Sequence, residues 1–127
     1  MSRILGAVAG AVGGWATASF ARRTLGDSSD RVSAMALVPV ALIYPAARRS
    51  FGDRPAVARE VAGVLATGAL AVVAARSTSV RNLAVAGWLA HAGFDLTHDR
   101  GPDSRLPDWY PAACAGYDAA YAVTLLR

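Results

Sequence analysis

Lysine is absent from this chain of 127 residues, and charge of either sign is scarce. All 13 basic residues are arginines, and charged residues make up 17% of the sequence. The single cysteine, Cys114, excludes an intrachain disulfide and a zinc site built from cysteines. The arginines gather between apolar blocks instead of forming a continuous basic stripe, so the net charge of +4 does not predict a nucleic-acid partner.

Long blocks without charge divide the sequence, and 54% of the residues are hydrophobic. Residues 4–21, 32–47, 61–75 and 82–94 contain no charged side chain, and residues 109–126 contain only Asp118. A bilayer core is spanned by about 20 apolar residues, and helices that are apolar around their whole circumference suit lipid better than water. The pattern predicts one all-α integral membrane domain, a multi-pass transmembrane bundle of four to five short helices in the cell membrane, surrounded by membrane lipids. The shorter blocks leave a soluble bundle of buried helices as the alternative.

Proline and aspartate positions predict where the helices begin and break. Helices are expected over residues 4–21, 32–47, 55–75, 80–98 and from 108 onwards. Pro39 and Pro45 each remove a backbone donor, so the second helix should be kinked or broken. Pro55 suits the first turn of the third helix, and Asp108 is expected to cap the last helix.

Glycines recur at every fourth residue in the first apolar block, at Gly6, Gly10 and Gly14. This spacing places them near one face of a helix, where small residues let two helix backbones approach closely in lipid. The sequence therefore predicts a helix–helix contact through Gly6, Gly10 and Gly14, which would serve a homo-oligomer or a partner subunit.

Both histidines of the chain lie in one segment near the end of the fourth predicted helix. Because helical residues at i, i+4, i+7 and i+8 share a face, this segment places four ionisable side chains on one stripe: His91, Asp95, His98 and Asp99. The next helix carries Cys114, Asp118 and Tyr121 on one face, with Tyr110 at its edge. A short loop makes the two helices antiparallel neighbours, and a rise of about 1.5 Å per residue puts His91 and Asp118 at similar depth.

The stripe has the chemistry of an acid–base site. A carboxylate inside hydrocarbon turns toward the bundle and finds a partner, and a histidine beside carboxylates can hold or move a proton near neutral pH. We expect a membrane-embedded enzyme of isomerase or cyclase type that acts on a lipophilic small molecule, an isoprenoid or another lipid, and needs no cofactor. Asp118 or Asp95 would donate the proton, and His91 would set its protonation state. The candidate catalytic residues are His91, Asp95, Asp118, Tyr110 and Tyr121, with either tyrosine orienting the proton donor.

Two other functions use the same side chains. A mixed nitrogen and oxygen set that can hold a transition metal as cofactor is formed by His91, Asp95, His98 and Asp118, since helix bundles build metal sites from facing helices. Alternatively, the aspartates only pin helices together through interhelical hydrogen bonds. The chain is then a structural or accessory membrane subunit.

The histidine segment continues into an aromatic helix, and together they form an extended motif. The motif is His91-x3-Asp95-x2-His98-Asp99, followed by Trp109-Tyr110-Pro111-x2-Cys114-x2-Tyr117-Asp118. Over about residues 88–121 it resembles a family of uncharacterised small bacterial integral membrane proteins, although Asp99 stands where that family's segment has a second histidine. The resemblance implies a membrane location and a shared polar site. A looser similarity of type is to small membrane-embedded isoprenoid cyclases, which protonate an apolar substrate with an intramembrane carboxylate.

Overall fold

The computed structural model describes all 127 residues, and helices make up most of the chain. Six helices follow in chain order: α1 (Arg3–Leu25), α2 (Ser29–Ala41), α3 (Ile43–Ala46), α4 (Arg54–Arg76), α5 (Val80–Thr97) and α6 (Tyr110–Leu125). A short 3₁₀ turn over Gly26–Ser28 joins α1 to α2. The predicted all-α class is confirmed, and the one extended pairing is a single bridge between Arg48 and Ser104.

Side-chain caps fix where two of the long helices begin. The Ser2 hydroxyl accepts from the Leu5 backbone N–H at 3.2 Å before α1, and Asp53 accepts from the Ala56 N–H at 3.2 Å before α4. Each cap satisfies one of the backbone donors that the first turn leaves free. Pro55 lies in the first turn of α4, as predicted, where no backbone donor is needed.

The predicted break in the second helix is confirmed. α2 contains Pro39 and ends at Ala41, and after Leu42 the chain resumes as the one-turn helix α3, which contains Pro45. Each proline ring removes an N–H from the helix ladder and crowds the preceding turn, so the helix is interrupted between Ala41 and Ile43. Tyr44, which lies in α3 beyond the break, is buried in the bundle.

α6 begins at Tyr110 without a side-chain cap, so the prediction that Asp108 caps this helix is wrong. The Asp108 carboxylate instead accepts from Arg100 Nη2 at 3.3 Å. Arg100 also donates through Nη1 to the carbonyl of Leu106 at 2.5 Å, which closes the loop between α5 and α6. A guanidinium carries five donors in a fixed fork, and one of them takes the carboxylate that the helix cap would have used.

Gly10 and Gly14 of α1 lie directly against the backbone of α6. A Cβ atom on Gly10 would collide with the carbonyl oxygen of Ala113, and one on Gly14 would collide with that of Tyr117. Gly6, one turn earlier, faces the same helix. The glycine face that was predicted to contact a second copy or a partner subunit is therefore covered by α6 of the same chain.

Trp88 of α5 lies at the centre of the hydrophobic core. Its ring stacks on Tyr121 of α6 with ring centroids 4.3 Å apart, and its Nε1–H donates to the carbonyl of Ser33 in α2 at 3.0 Å. The hydroxyls of Tyr121 and Ser33 are 2.9 Å apart. One aromatic stack and two hydrogen bonds thus hold α2, α5 and α6 together.

The outer surface of the bundle is strongly apolar. Two helical stretches, residues 3–46 and 54–76, are long and apolar enough to cross a membrane. Large hydrophobic side chains face outward along both, for example Ile4 and Trp15 on α1 and Leu65 on α4. Soluble monomers seldom expose contiguous apolar patches larger than a few hundred Å². This surface is typical of a protein that packs against lipid or against another protein.

We expect Gly10→Ala to destabilise the fold and Gly13→Ala to leave it unchanged or slightly more stable. The Gly10 substitution forces the α1 and α6 backbones apart, and overpacking of this kind costs about 1–3 kcal/mol. At Gly13 the atom nearest to an added Cβ is Tyr117 Cδ2 at 3.5 Å, an ordinary contact, and alanine is favoured over glycine in a helix by about 0.5–1 kcal/mol. Thermal unfolding of both variants in one detergent measures the difference. Equal melting temperatures would contradict the close approach of α1 and α6.

Candidate functional site

His91 of α5 and Asp118 of α6 meet inside the bundle. His91 Nδ1 is 2.7 Å from Asp118 Oδ2, and it is 3.5 Å from Oδ2 of Asp95, one turn further along α5. All three side chains are buried. The predicted match in depth between His91 and Asp118 is confirmed, because the loop between α5 and α6 makes the two helices antiparallel neighbours.

Tyr44 joins these residues from α3. Its hydroxyl donates to Asp95 Oδ1 at 2.6 Å. The second oxygen, Asp95 Oδ2, is buried and has no hydrogen-bond partner, and it faces His91 Nδ1 at 3.5 Å. We call Tyr44, His91, Asp95 and Asp118 the His91 cluster. Its three ionisable members come from two helices and its hydroxyl donor from a third.

His98 lies apart from the His91 cluster, although the sequence places it on the same stripe. Its Nε2 atom is 2.8 Å from Oε1 of Glu60 on α4. The helix ends at Thr97, and His98 has an extended backbone with φ −75° and ψ 120°, so helical spacing no longer directs its side chain. Asp99 follows it into the loop and is exposed. Of the four residues predicted to bind a metal, His91, Asp95 and Asp118 therefore lie together, and His98 lies apart from them.

Glu60, the only glutamate of the chain, forms a buried ion pair with Arg48. Arg48 Nε is 2.6 Å from Glu60 Oε2, and Arg48 Nη2 is 2.8 Å from Oε1. The hydrogen-bonded carboxylate raises the pKa of Arg48 above its usual value. Burial by itself disfavours both charges, so the pair depends on this two-point geometry. We call Arg48, Glu60 and His98 the Glu60 triad.

Backbone pairing fixes the position of the Glu60 triad. The Arg49 N–H donates to the carbonyl of Asp103 at 2.8 Å, and the Arg105 N–H donates to the carbonyl of Ala47 at 2.9 Å. These two bonds join the segment after α3 to the loop before α6. The chain next to Arg48 is therefore held on both sides of the ion pair.

The sequence pattern does not predict three of these site residues: Tyr44, Arg48 and Glu60. Tyr44 lies in an uncharged block, and the two charged residues lie between apolar blocks, where the pattern predicts charge without a specific role. One usable signal was present. Glu60, Gly63 and Thr67 are spaced as i, i+3 and i+7, which puts the glutamate on a defined face of α4.

The two tyrosines predicted to orient the proton donor lie outside the His91 cluster. The Tyr121 hydroxyl pairs with Ser33 in the core. Tyr110 packs edge-on against Tyr44, with ring centroids 6.2 Å apart. The hydroxyl that contacts a carboxylate of the cluster is that of Tyr44, so the orienting contact comes from α3 and not from α6.

His91 also lines an apolar cavity of about 440 Å³ between α2, α4 and α5. The rest of its wall consists of Ala41, Glu60, Gly63, Ala66, Thr67, Leu70, Ala86, Gly87, Ala90 and Phe94. Because Nδ1 faces the two aspartates, Nε2 is the one nitrogen of His91 left for a ligand. A separate polar cavity of about 240 Å³ reaches Asp95. The His91 cluster therefore lies between an apolar and a polar cavity.

The His91 cluster has the donor atoms for a metal ion as well as for proton transfer. One ligand atom from each of His91, Asp95 and Asp118 lies within 4.8 Å of the others, and nitrogen with carboxylate oxygen suits zinc or other first-row metals. The 2.7 Å separation of His91 Nδ1 from Asp118 Oδ2 is a hydrogen-bond distance. This distance favours a proton between the two atoms over a shared ion.

Comparisons with protein-family models, curated proteins and solved structures find no match to this chain. The side chains themselves are therefore the basis for assigning a function. They supply a buried imidazole held by carboxylates, an apolar cavity beside it, and a second buried ionic group at the same cavity.

We expect Arg48→Met to lower the free energy of unfolding by about 3–5 kcal/mol, because it leaves the Glu60 carboxylate buried without its cation. The pair between Arg81 and Asp30 is the matched control, since the Arg81 side chain is half exposed. Arg81→Met should cost less, about 1 kcal/mol, because solvent reaches this pair and partly compensates Asp30, whose side chain is 13% exposed. Denaturant unfolding in detergent measures both losses. Two equally small losses would contradict the burial of the Arg48–Glu60 pair.

Proposed function

We propose that this chain is a multi-pass membrane protein that catalyses the acid–base isomerisation or cyclisation of a lipophilic molecule, an isoprenoid or another lipid. One observation supports the proposal above all others. His91 Nδ1 is held by buried carboxylates while the same ring lines an apolar cavity. A carboxylate behind an imidazole fixes the tautomer and the orientation of the ring, and it stabilises the imidazolium that forms during proton transfer.

The proposed step needs only residues of this chain. When His91 is neutral and Asp118 is ionised, His91 Nδ1 donates to the carboxylate and Nε2 is a hydrogen-bond acceptor for a ligand in the cavity. Nε2 takes a proton from a C–H or O–H bond of the ligand, and returns it to a different atom of the same ligand. The sum is an isomerisation without net gain or loss of protons. Tyr44 keeps Asp95 oriented through its 2.6 Å hydrogen bond, and no cofactor is required.

Helix length and surface support the membrane part of the proposal. α1 and α4 each have 23 residues, or about 34 Å at 1.5 Å per residue, which exceeds a bilayer core of about 30 Å. α5 and α6 are shorter, with 18 and 16 residues, and they pack beside α4 and α1. Contact of the outward apolar side chains with lipid costs no free energy, whereas their contact with water is unfavourable.

Deuterium exchange tests the acid–base step without knowledge of the product. The purified protein is incubated in D₂O with a total lipid extract of the producing cells, and mass spectrometry follows deuterium at C–H positions. We expect incorporation above a protein-free control, with a loss of about 10²-fold or more in His91→Ala and Asp118→Asn. Asp27→Asn is the matched control, because Asp27 is exposed on the 3₁₀ turn, and it should exchange like the unmodified chain.

Two outcomes of this experiment would contradict the proposal. Full incorporation by a folded His91→Ala variant would remove the imidazole from the chemistry. No incorporation by any variant, together with lower melting temperatures for His91→Ala and Asp118→Asn, would favour the structural alternative. The cluster would then only pin α5 to α6 in an accessory membrane subunit.

A metal-binding membrane protein is the second candidate, favoured by the convergence of His91, Asp95 and Asp118 and by the unpartnered Asp95 Oδ2. Elemental analysis of protein purified without chelators tests it. This candidate predicts one transition-metal ion per chain that is lost in His91→Ala. The ion should be kept in His98→Gln, because His98 contacts Glu60 and not the cluster. Metal content below one ion per chain, or unchanged in His91→Ala, would rule against it.

A further inference from the structure

Among the side-chain nitrogen and oxygen atoms of the cavity wall, one makes no hydrogen bond within the chain. Both oxygens of Glu60 are occupied by Arg48 and His98, and the Thr67 hydroxyl donates to a backbone carbonyl of its own helix at 2.9 Å. His91 Nε2 makes no hydrogen bond within the chain, since the contacts of the ring are made by Nδ1. The remaining wall is alanine, glycine, leucine and phenylalanine.

The ionic groups around the cavity all have partners within the chain. Glu60 is neutralised by Arg48 in a buried pair, so neither offers a counter-ion to a ligand. The carboxylates of Asp95 and Asp118 approach the His91 ring at Nδ1, so they make no direct contact with a ligand at Nε2. A carboxylate or ammonium group brought into this cavity would lose its hydration without gaining an ionic partner, and unpaired buried charges are strongly disfavoured.

The cavity opens sideways between α4 and α5. Three alanines line the cavity and are also exposed at the outer surface: Ala66 on α4, and Ala86 and Ala90 on α5. Methyl side chains are too short to bridge the two helices, which leaves a seam. In a bundle that spans a membrane, a lateral seam faces acyl chains, so a ligand reaches the cavity from the lipid phase.

We infer that the cavity binds an uncharged lipophile with a single polar group that donates a hydrogen bond, such as a long-chain alcohol. The polar group lies at His91 Nε2, and the apolar body extends past Gly63 and Ala66 through the seam. The volume of about 440 Å³ is within the range of small-molecule sites. The inference rests on the proposed function, because it assigns the ligand class for the same cavity.

Two glycines of α4 provide a matched pair of variants. A Cβ on Gly63 has Phe94 Cε2 at 3.9 Å as its nearest neighbour, so a leucine there points into the cavity without striking backbone. A Cβ on Gly68 meets nothing within 4 Å, and Gly68 does not line the cavity. Gly63→Leu should therefore fill the site, whereas Gly68→Leu should leave it open. Ala66→Leu fills the same wall from one turn away and replaces Gly63→Leu if that variant does not fold.

Photolabelling with matched probes tests the ligand class. Purified protein in detergent is irradiated with a C16 alcohol carrying a diazirine, and in parallel with the carboxylic acid and the primary amine of the same chain. We expect the alcohol to label α4 and α5 at the cavity, about tenfold more strongly than either charged probe at equal concentration. Labelling should fall by a similar factor in Gly63→Leu and stay unchanged in Gly68→Leu. In His91→Ala the preference for the alcohol over an alkane probe should disappear.

Equal or stronger labelling by the acid or the amine would overturn the inference, and so would undiminished labelling of Gly63→Leu and Ala66→Leu. These failures are distinct from failure of the acid–base step. Labelling by the alcohol without deuterium exchange would leave the ligand class in place and remove the reaction. Deuterium exchange that depends on His91, with a charged probe preferred, would leave the reaction in place and remove the ligand class.

Discussion

Two buried carboxylates face one imidazole nitrogen, and the packing of three helices depends on this contact. Asp95 and Asp118 are almost completely inaccessible, and an unpaired ion in such a place costs several kcal/mol. Their partners, His91 and Tyr44, come from α5 and α3. α3, α5 and α6 therefore have to meet at one level of the bundle. Neither the close approach of α1 and α6 nor the core around Trp88 would by itself require α3, α5 and α6 to meet at this level, although both are compatible with it.

The Glu60 triad is a second buried ionic group that joins separate helices, and Glu60 lines the same cavity as His91. It joins α4 to the end of α5 and to the segment after α3. The ring of Phe94 lies between the two groups, with its centroid 6.1 Å from that of His91 and 4.6 Å from that of His98. Two internally hydrogen-bonded ionic groups thus border a space whose other walls are small and apolar. The His91 cluster and the Glu60 triad are held in place by their own hydrogen bonds, and the wall between them is apolar. This arrangement suits a site that positions one reactive atom of a ligand.

The parts of the site that could be predicted are those governed by local geometry. The 3.6-residue period and a short loop were enough to pair His91 with Asp118, because both act within two adjacent helices. The same period failed for His98, since the helix stops one residue earlier and the backbone becomes extended. Tyr44 and Glu60 reach the site from distant segments, and no spacing in the sequence relates them to their partners. Their positions follow from how the helices pack, which a periodic pattern does not encode.

The alanine-lined seam between α4 and α5 has a consequence for what a reaction in this cavity can produce. Under the proposed function, a molecule that enters through the seam from the acyl chains arrives without a hydration shell, and the one hydroxyl group of the wall, that of Thr67, is hydrogen-bonded to a backbone carbonyl. A carbocation or carbanion formed beside the imidazole is thereby shielded from quenching. Rearrangement can then run to completion where an aqueous site would divert the same intermediate into a hydrated by-product. The alanine-lined seam would in this way select the product as well as admit the reactant.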